Sequence, residues 1–233
     1  MRSIEKAGLL DNIEYVDLSN EFPLLVWTPF LEEKLDLTSE EGRNWLAKPI
    51  QILKKNYPDL RYTYSFTGQV PDHLSEHELA SFDLLEPHIW MVQYTDFYQK
   101  SGYYFDMFAS DNYTNLALNG AKVYYENPEK YKEGVLTGIR KAAAWSKQLQ
   151  LPLGTTECWG LVDYKDYPLL EWDYVKELCE LGTREAAATG RWKYIATSNF
   201  CGPQFKGMWR DVKWHQTLTD IIKNAKLDSD LNY

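Results

Sequence analysis

Ile13-Glu14-Tyr15-Val16-Asp17-Leu18-Ser19-Asn20-Glu21-Phe22-Pro23 (IEYVDLSNEFP) is the stretch on which the reading of the fold turns. Its first six residues form a short, largely apolar run with a β-branched centre, which predicts a strand over 13–18. Pro23 has no N–H to offer a sheet ladder, so regular structure is expected to end just beyond Glu21. A polar Ser-Asn-Glu group therefore stands at the C-terminal end of a strand. The same arrangement returns at 153–156 (LGTT), a strand candidate that runs out into Glu157-Cys158-Trp159-Gly160.

Between and beyond these two stretches, strands alternate with helices. Residues 38–57 (TSEEGRNWLAKPIQILKKNY) read as a helix. Thr38 or Ser39 can cap it, Glu40 and Glu41 complement its positive end, and Trp45, Ile52 and Leu53 supply part of an apolar stripe. Pro49 is a potential kink, and Pro58 lies past the end. Residues 60–67 (LRYTYSFT) read as a strand, 71–81 as a short polar helix, and 84–91 as a third strand. The aromatic, weakly periodic region 94–118 reads as a long ordered excursion. Asn127-Pro128-Glu129 opens a helix to about Lys147, with Tyr131, Val135, Ile139 and Ala142 on one side. Residues 170–189 form the next helix, with Tyr174, Leu178 and Leu181 on one side. Residues 192–197 (WKYIAT) are a last strand and 211–225 a final amphipathic helix.

This alternation predicts an α/β fold with a parallel sheet and right-handed crossovers. It fits a doubly wound sheet or part of an eight-stranded barrel, and periodicity does not separate the two. No repeat, low-complexity tract or polar linker divides the sequence, so 1–233 is expected as a single domain. The dinucleotide glycine pattern and the GxxxxGK phosphate loop are both missing, which argues against phosphate cofactors.

A net charge of -9 without a Lys/Arg cluster disfavours a broad nucleic-acid surface and adsorption to anionic membranes. No apolar stretch approaches the ~18 residues of a membrane span, and no basic, then apolar, secretory leader is visible. The three cysteines, Cys158, Cys179 and Cys201, form no CxxC pair, which suits a reducing, cytoplasmic location. With 17 Tyr, 9 Phe and 9 Trp, the chain has rings enough for an aromatic cleft, a surface on which sugars stack.

Glu21 and Glu157 are far apart in the chain, but a parallel barrel gathers the C-terminal ends of its strands around one mouth. Two carboxyls meeting there could cleave a glycosidic bond. One, protonated, would keep the departing oxygen from carrying full charge, while the other, ionised, attacks the anomeric carbon. A retaining site places them roughly 5 Å apart. Which glutamate takes which role does not follow from spacing.

Ser19-Asn20-Glu21 after IEYVDL resembles the fourth-strand ending of the large cellulase-like clan of retaining glycoside hydrolases. Thr156-Glu157-Cys158-Trp159-Gly160 resembles its seventh-strand ending. The resemblance, closest to glycoside hydrolase family 5, implies a (β/α)8 TIM-barrel type of fold with only strands four to eight present. It implies Glu21 as acid/base, Glu157 as nucleophile, and Asn20 as a contact to the sugar 2-hydroxyl. His88, in Pro87-His88-Ile89-Trp90, resembles a sixth-strand histidine that organises the nucleophile side, although the usual His-x-Tyr is His-x-Trp here. The implied function is retaining hydrolysis of a β-glycosidic bond in an oligo- or polysaccharide. The implied partner is a carbohydrate, with an N-terminal barrel segment or a second copy completing the ring. A catalytically inactive sugar-binding fragment, or a structural part of an assembled barrel, is the alternative.

Further strand-end groups extend the expected site. Trp159, Trp209 and Trp90 are candidate sugar platforms, although core packing would bury their rings equally well. Tyr94 is a candidate to orient or hydrogen-bond the nucleophile, Asn199 to contact a hydroxyl, and Asp17 to support Glu21 or sit near the barrel interior. His73-Leu74-Ser75-Glu76-His77 fits the HxxEH metal pattern, but the segment is short and no third ligand is near. The reading is therefore a polar rim helix, with no metal and no cofactor.

Overall fold

The computed structural model describes residues 1–22, 38–67, 79–104, 109–162, 170–195 and 210–231. Its contacts divide the chain into two units, 1–67 with 71–86 and 68–70 with 87–233.

The first unit begins with α1 (Arg2–Lys6) and the short strand β1 (Val16–Asp17). Helix α2 (Glu40–Asn56) follows, started by Ser39, whose hydroxyl accepts from Gly42 N at 3.0 Å. Glu40 and Glu41 occupy the first turn and Lys54 and Lys55 the last, matching the helix dipole. Pro49 lies inside this helix without ending it. The buried stripe is Gly42, Leu46 and Ile50, four residues apart. Ile52, expected on that stripe, is exposed. Trp45, also expected there, sits at its margin and stacks on Phe22 with centroids 5.3 Å apart.

Strands β2 (Tyr62–Thr63) and β3 (Ser65–Phe66) come next. β1 pairs with β2 in parallel, Val16 opposite Tyr62, and a parallel bridge joins Phe22 to Phe66. Asp83 ties helix to strand. Its carboxylate accepts from Lys54 Nζ at 2.6 Å and from Tyr62 N at 2.9 Å. Phe22, Tyr64, Phe66 and Phe82 fill the core between them. Burial there pushes the Tyr64 phenol up to about 12. Strand β4 (Glu86–Pro87) marks the division between the units.

The second unit holds β5 (Ile89–Trp90), α3 (Phe97–Ser101), α4 (Asp111–Glu126) and α5 (Pro128–Leu149). They are followed by β6 (Leu153–Thr155), β7 (Cys158–Trp159), α6 (Asp173–Ala188), β8 (Trp192–Ile195) and α7 (Val212–Asn224). β5 pairs with β7 and β6 with β8, both in parallel. Helix α5 starts as its sequence predicts, with the Asn127 cap and Pro128 in the first turn, and it buries Tyr131, Val135, Ile139 and Ala142. Asp211 caps α7 by accepting from Trp214 N.

Region 94–118 differs from expectation, because it contains α3 and the start of α4. The buried face of α4 runs through Asn112, Leu116, Gly120 and Val123. Two of the helix's five buried residues are Asn and Gly, so an apolar-periodicity reading passes over it. Rings of Phe97, Tyr98, Tyr103, Tyr124, Tyr131 and Tyr174 pack together here. Much of the aromatic content therefore builds core rather than an open cleft.

Helices and parallel strands are mixed as an α/β fold requires, but the described strands pair two by two and form no closed ring. The predicted helix 71–81 lies mostly outside the described residues. No helix among them is long and apolar enough to cross a membrane. Cys158 and Cys179 are buried free thiols, and Cys201 lies outside the described residues.

Two contacts yield stability predictions. A Cβ on Gly182 would lie 2.5 Å from the Trp159 indole, a rigid and fully buried ring. Gly182→Ala is expected to destabilise the protein by about 1–3 kcal/mol through overpacking, as measured by denaturant unfolding. Arg191, also fully buried, donates from Nε to Ser146 Oγ and from Nη1 to both carboxylate oxygens of Asp230, at 2.7 and 2.8 Å. That pairing holds the Asp230 carboxyl below its ordinary 3.8. Its stabilisation is complete above 3.8 and is lost as pH falls through the depressed value. Asp230→Asn should lower Tm at neutral pH and reduce the further loss of stability between about pH 4 and pH 2, as read by thermal melts across that range.

Candidate active site

The described candidate residues form two strand-end clusters, one in each unit. In the first, the β1–β2 ladder (Val16 N to Arg61 O, Leu18 N to Thr63 O) brings the end of β1 beside the start of β3. Asp17 Oδ1 accepts from Ser19 N at 3.0 Å and from Ser65 N at 2.9 Å, while Oδ2 accepts from Ser65 Oγ at 2.7 Å. Glu21 N donates to that Ser65 hydroxyl oxygen at 2.8 Å, and Phe22 N donates to Ser65 O at 2.8 Å. Glu21 has φ +53, a left-handed conformation that costs a non-glycine residue on the order of 1 kcal/mol. Its side chain is half-buried, and the preceding Asn20 is exposed. Burial raises the Asp17 carboxyl above its ordinary 3.8, with the Ser65 hydrogen bond opposing the rise and the nearby Glu86 adding to it.

The second cluster follows from strand register. β5 and β7 align Ile89 with Cys158 and Trp90 with Trp159. In a parallel pair, the residues just before an aligned pair are also neighbours, and here they are His88 and Glu157. His88 Nδ1 lies 3.6 Å from Glu157 Oε2; the imidazole is fully buried, whereas the carboxylate side chain keeps 18% of its exposure. At 3.6 Å the two are electrostatic neighbours rather than a direct hydrogen bond. Gln93 holds the histidine's backbone, donating from Nε2 to His88 O at 3.1 Å and accepting from Trp90 N at 3.0 Å. Thr155 Oγ1 lies 3.1 Å from Pro87 O and 3.2 Å from Glu157 O, fastening the residue before the histidine to the glutamate.

Two of the indoles expected as sugar platforms lie in the core. Trp159 is fully buried, its ring against Gly182 and 6.3 Å edge-on to Trp192, so it serves the core and offers no sugar platform. The chain bends at 156–157 between β6 and β7, so strand alternation does not carry from Glu157 to Trp159. Trp90 is fully buried as well. The Tyr94 ring packs on α5, close to Gly138 and with Lys141 Nζ 5.6 Å from its centroid. Asn199, Trp209, His73 and His77 lie outside the described residues. Sequence reasoning missed Ser65, Thr155 and Gln93. A serine in the middle of the apolar LRYTYSFT strand was the available signal for the first.

Residues 1–223 match a family model described as sugar-binding cellulase-like. The chain belongs to the sugar-binding cellulase-like family. This cellulase-like chain is also 45% identical to a Parabacteroides distasonis ATCC 8503 protein of known crystal structure, named a "putative glycoside hydrolase". The two superpose with a TM-score of 0.89 over 99% of the present chain, which spans 62% of that relative's length. No curated protein shows significant similarity.

The Asp17 carboxyl carbon is expected to titrate with a midpoint above 3.8 by nuclear magnetic resonance. Ser65→Ala should raise that midpoint further, because the lost hydrogen bond favours the ionised form. Asp17 thus stabilises the fold below its raised value, and that contribution fades as pH climbs through it.

Proposed function

We propose that this cellulase-like chain provides the two catalytic carboxyls of a retaining β-glycosidase, acting within a (β/α)8 barrel of which it forms strands four to eight. Glu157 is the nucleophile and Glu21 the acid/base. The observation that carries this reading is the Glu157 carboxylate, still partly open to solvent, beside the buried His88 imidazole, each just before one of the paired parallel strands β5 and β7. The family match supports the substrate class, a carbohydrate.

In the first step Glu157 attacks the anomeric carbon as the glycosidic C–O bond breaks, and Glu21 gives its proton to the departing oxygen. In the second, Glu21 takes a proton from water, which displaces Glu157 from the anomeric carbon and restores both groups. Two inversions leave the configuration retained, and the chemistry calls for about 5 Å between the carboxyls. His88, held by Gln93, keeps a polarisable ring beside Glu157 and limits where that carboxylate can turn. Asn20 is the proposed 2-hydroxyl contact.

A second reading is sugar binding without turnover. It is favoured by the family's description as sugar-binding.

The test uses a panel of aryl β-glycosides that differ in sugar. Glu157→Ala should lower kcat by about 10³-fold or more while sugar affinity changes by less than about threefold. Glu21→Ala should lower kcat/KM by about 10²- to 10⁴-fold on poor leaving groups. Proton magnetic resonance of the first product should show the starting anomer. Unchanged kinetics in Glu157→Ala, or an inverted product, would defeat the retaining assignment. A parent that binds sugars and turns none over establishes the second reading.

A further inference from the structure

We infer that Ser65 and Asp17 are positioning residues, which hold the backbone of Glu21 in the one conformation that aims its carboxyl. This rests on the reading of Glu21 as the acid/base. The hydroxyl of Ser65 has a single proton. With Asp17 Oδ2 at 2.7 Å taking that proton, the oxygen's lone pairs are left to receive Glu21 N at 2.8 Å. Ser65 also accepts from Phe22 N through its carbonyl. One buried residue thus grips two successive amides, and the residue between those grips has φ +53. The sign of φ sets the direction of the Cα–Cβ bond, so a Glu21 that relaxed to negative φ would point its carboxyl elsewhere. Phe22, fully buried and bridged to Phe66, prevents the turn from shifting as a whole.

Asp17 sets the direction of the hydroxyl. Its Oδ1 bonds Ser19 N and Ser65 N, clamping the end of β1 to the start of β3 around the same carboxylate. Asn at position 17 could keep an acceptor toward the two amides and point its own N–H₂ at Ser65 Oγ, whose second lone pair would still serve Glu21. Alanine at 65 removes the acceptor itself.

Leaving-group dependence separates positioning from general damage. A dinitrophenyl group departs with little proton transfer, whereas a methoxyphenyl group needs a well-placed acid. kcat/KM reports the glycosylation step, in which this difference appears. Ser65→Ala should lower kcat/KM for the methoxyphenyl glycoside about tenfold or more, yet alter it less than about twofold for the dinitrophenyl glycoside. Ser65→Thr, which keeps the hydroxyl, should recover most of the loss, and Asp17→Asn should fall between Ser65→Ala and the parent. Should Ser65→Ala fail to fold, Ser65→Cys makes the same comparison with a weak sulfur acceptor. Equal losses on both glycosides, or none on either, would overturn the positioning role.

Glu21→Ala run beside these variants keeps two failures apart. Absence of a leaving-group split in Glu21→Ala removes the acid/base reading. A split there without one in Ser65→Ala removes only the inference about Ser65 and Asp17. Crystal structures add a readout independent of turnover. Glu21 is expected to leave positive φ in Ser65→Ala and to keep it in Ser65→Thr, and an unmoved Glu21 in Ser65→Ala would overturn the inference.

Discussion

Parallel pairing of very short strands is the constraint from which the rest of this structure follows. A two-residue pair such as Ile89–Trp90 with Cys158–Trp159 contributes few ladder hydrogen bonds, and its partners are separated by helices α3, α4 and α5. Such a pair holds only if the helices fasten it from outside. They do so by close approach: α5 offers Gly138 to Ile89 and Tyr94, and α6 offers Gly182 to Trp159. A side chain at either glycine would push the helix off the strand. The register these contacts secure is also what sets His88 beside Glu157.

Polar side chains inside both units are handled in a common way, each meeting polar partners that the fold brings to it. Asp17 receives two amides and a hydroxyl, Thr155 lies against two carbonyls, and Arg191 spends its guanidinium on Ser146 and Asp230. Leaving such groups unpaired in the interior would cost more than the hydrogen bonds gain in net stability. Asp17 and Thr155 therefore hold particular backbone positions, those that precede or carry the candidate catalytic side chains. This ties fold and chemistry together at Glu21, where a strained backbone and a gripped amide coincide. The family match places the chain among sugar-binding cellulase-like proteins.

The aromatic content shows how composition misleads when read without structure. Rings in excess of an ordinary core suggested an open cleft, yet those of Phe22, Tyr64, Phe66 and Phe82 pack in one unit, and Phe97, Tyr124, Tyr131 and Tyr174 in the other. Tyrosine can do this because its ring is as good a packing element as phenylalanine where the hydroxyl finds an acceptor, as Tyr64 does at Leu46 O. A wide buried surface built from rings leaves fewer of them to face a ligand.

Helix limits were legible because they are local. Ser39, Asn127-Pro128 and Asp211 satisfy amides within three residues, and Tyr131, Val135, Ile139 and Ala142 repeat at the helical period, so the sequence alone determined those elements and the α/β alternation. It also determined that glutamates stand just past two strands. What it could not determine was the direction each side chain takes there. The bend at 156–157 sends Trp159 into the core, and α4 hides its stripe behind Asn112 and Gly120. The left-handed turn at Glu21 depends on a serine 44 residues away. Those outcomes belong to tertiary structure, because they are settled by which distant groups are present to accept a hydrogen bond or fill a space, and no local pattern encodes such a meeting.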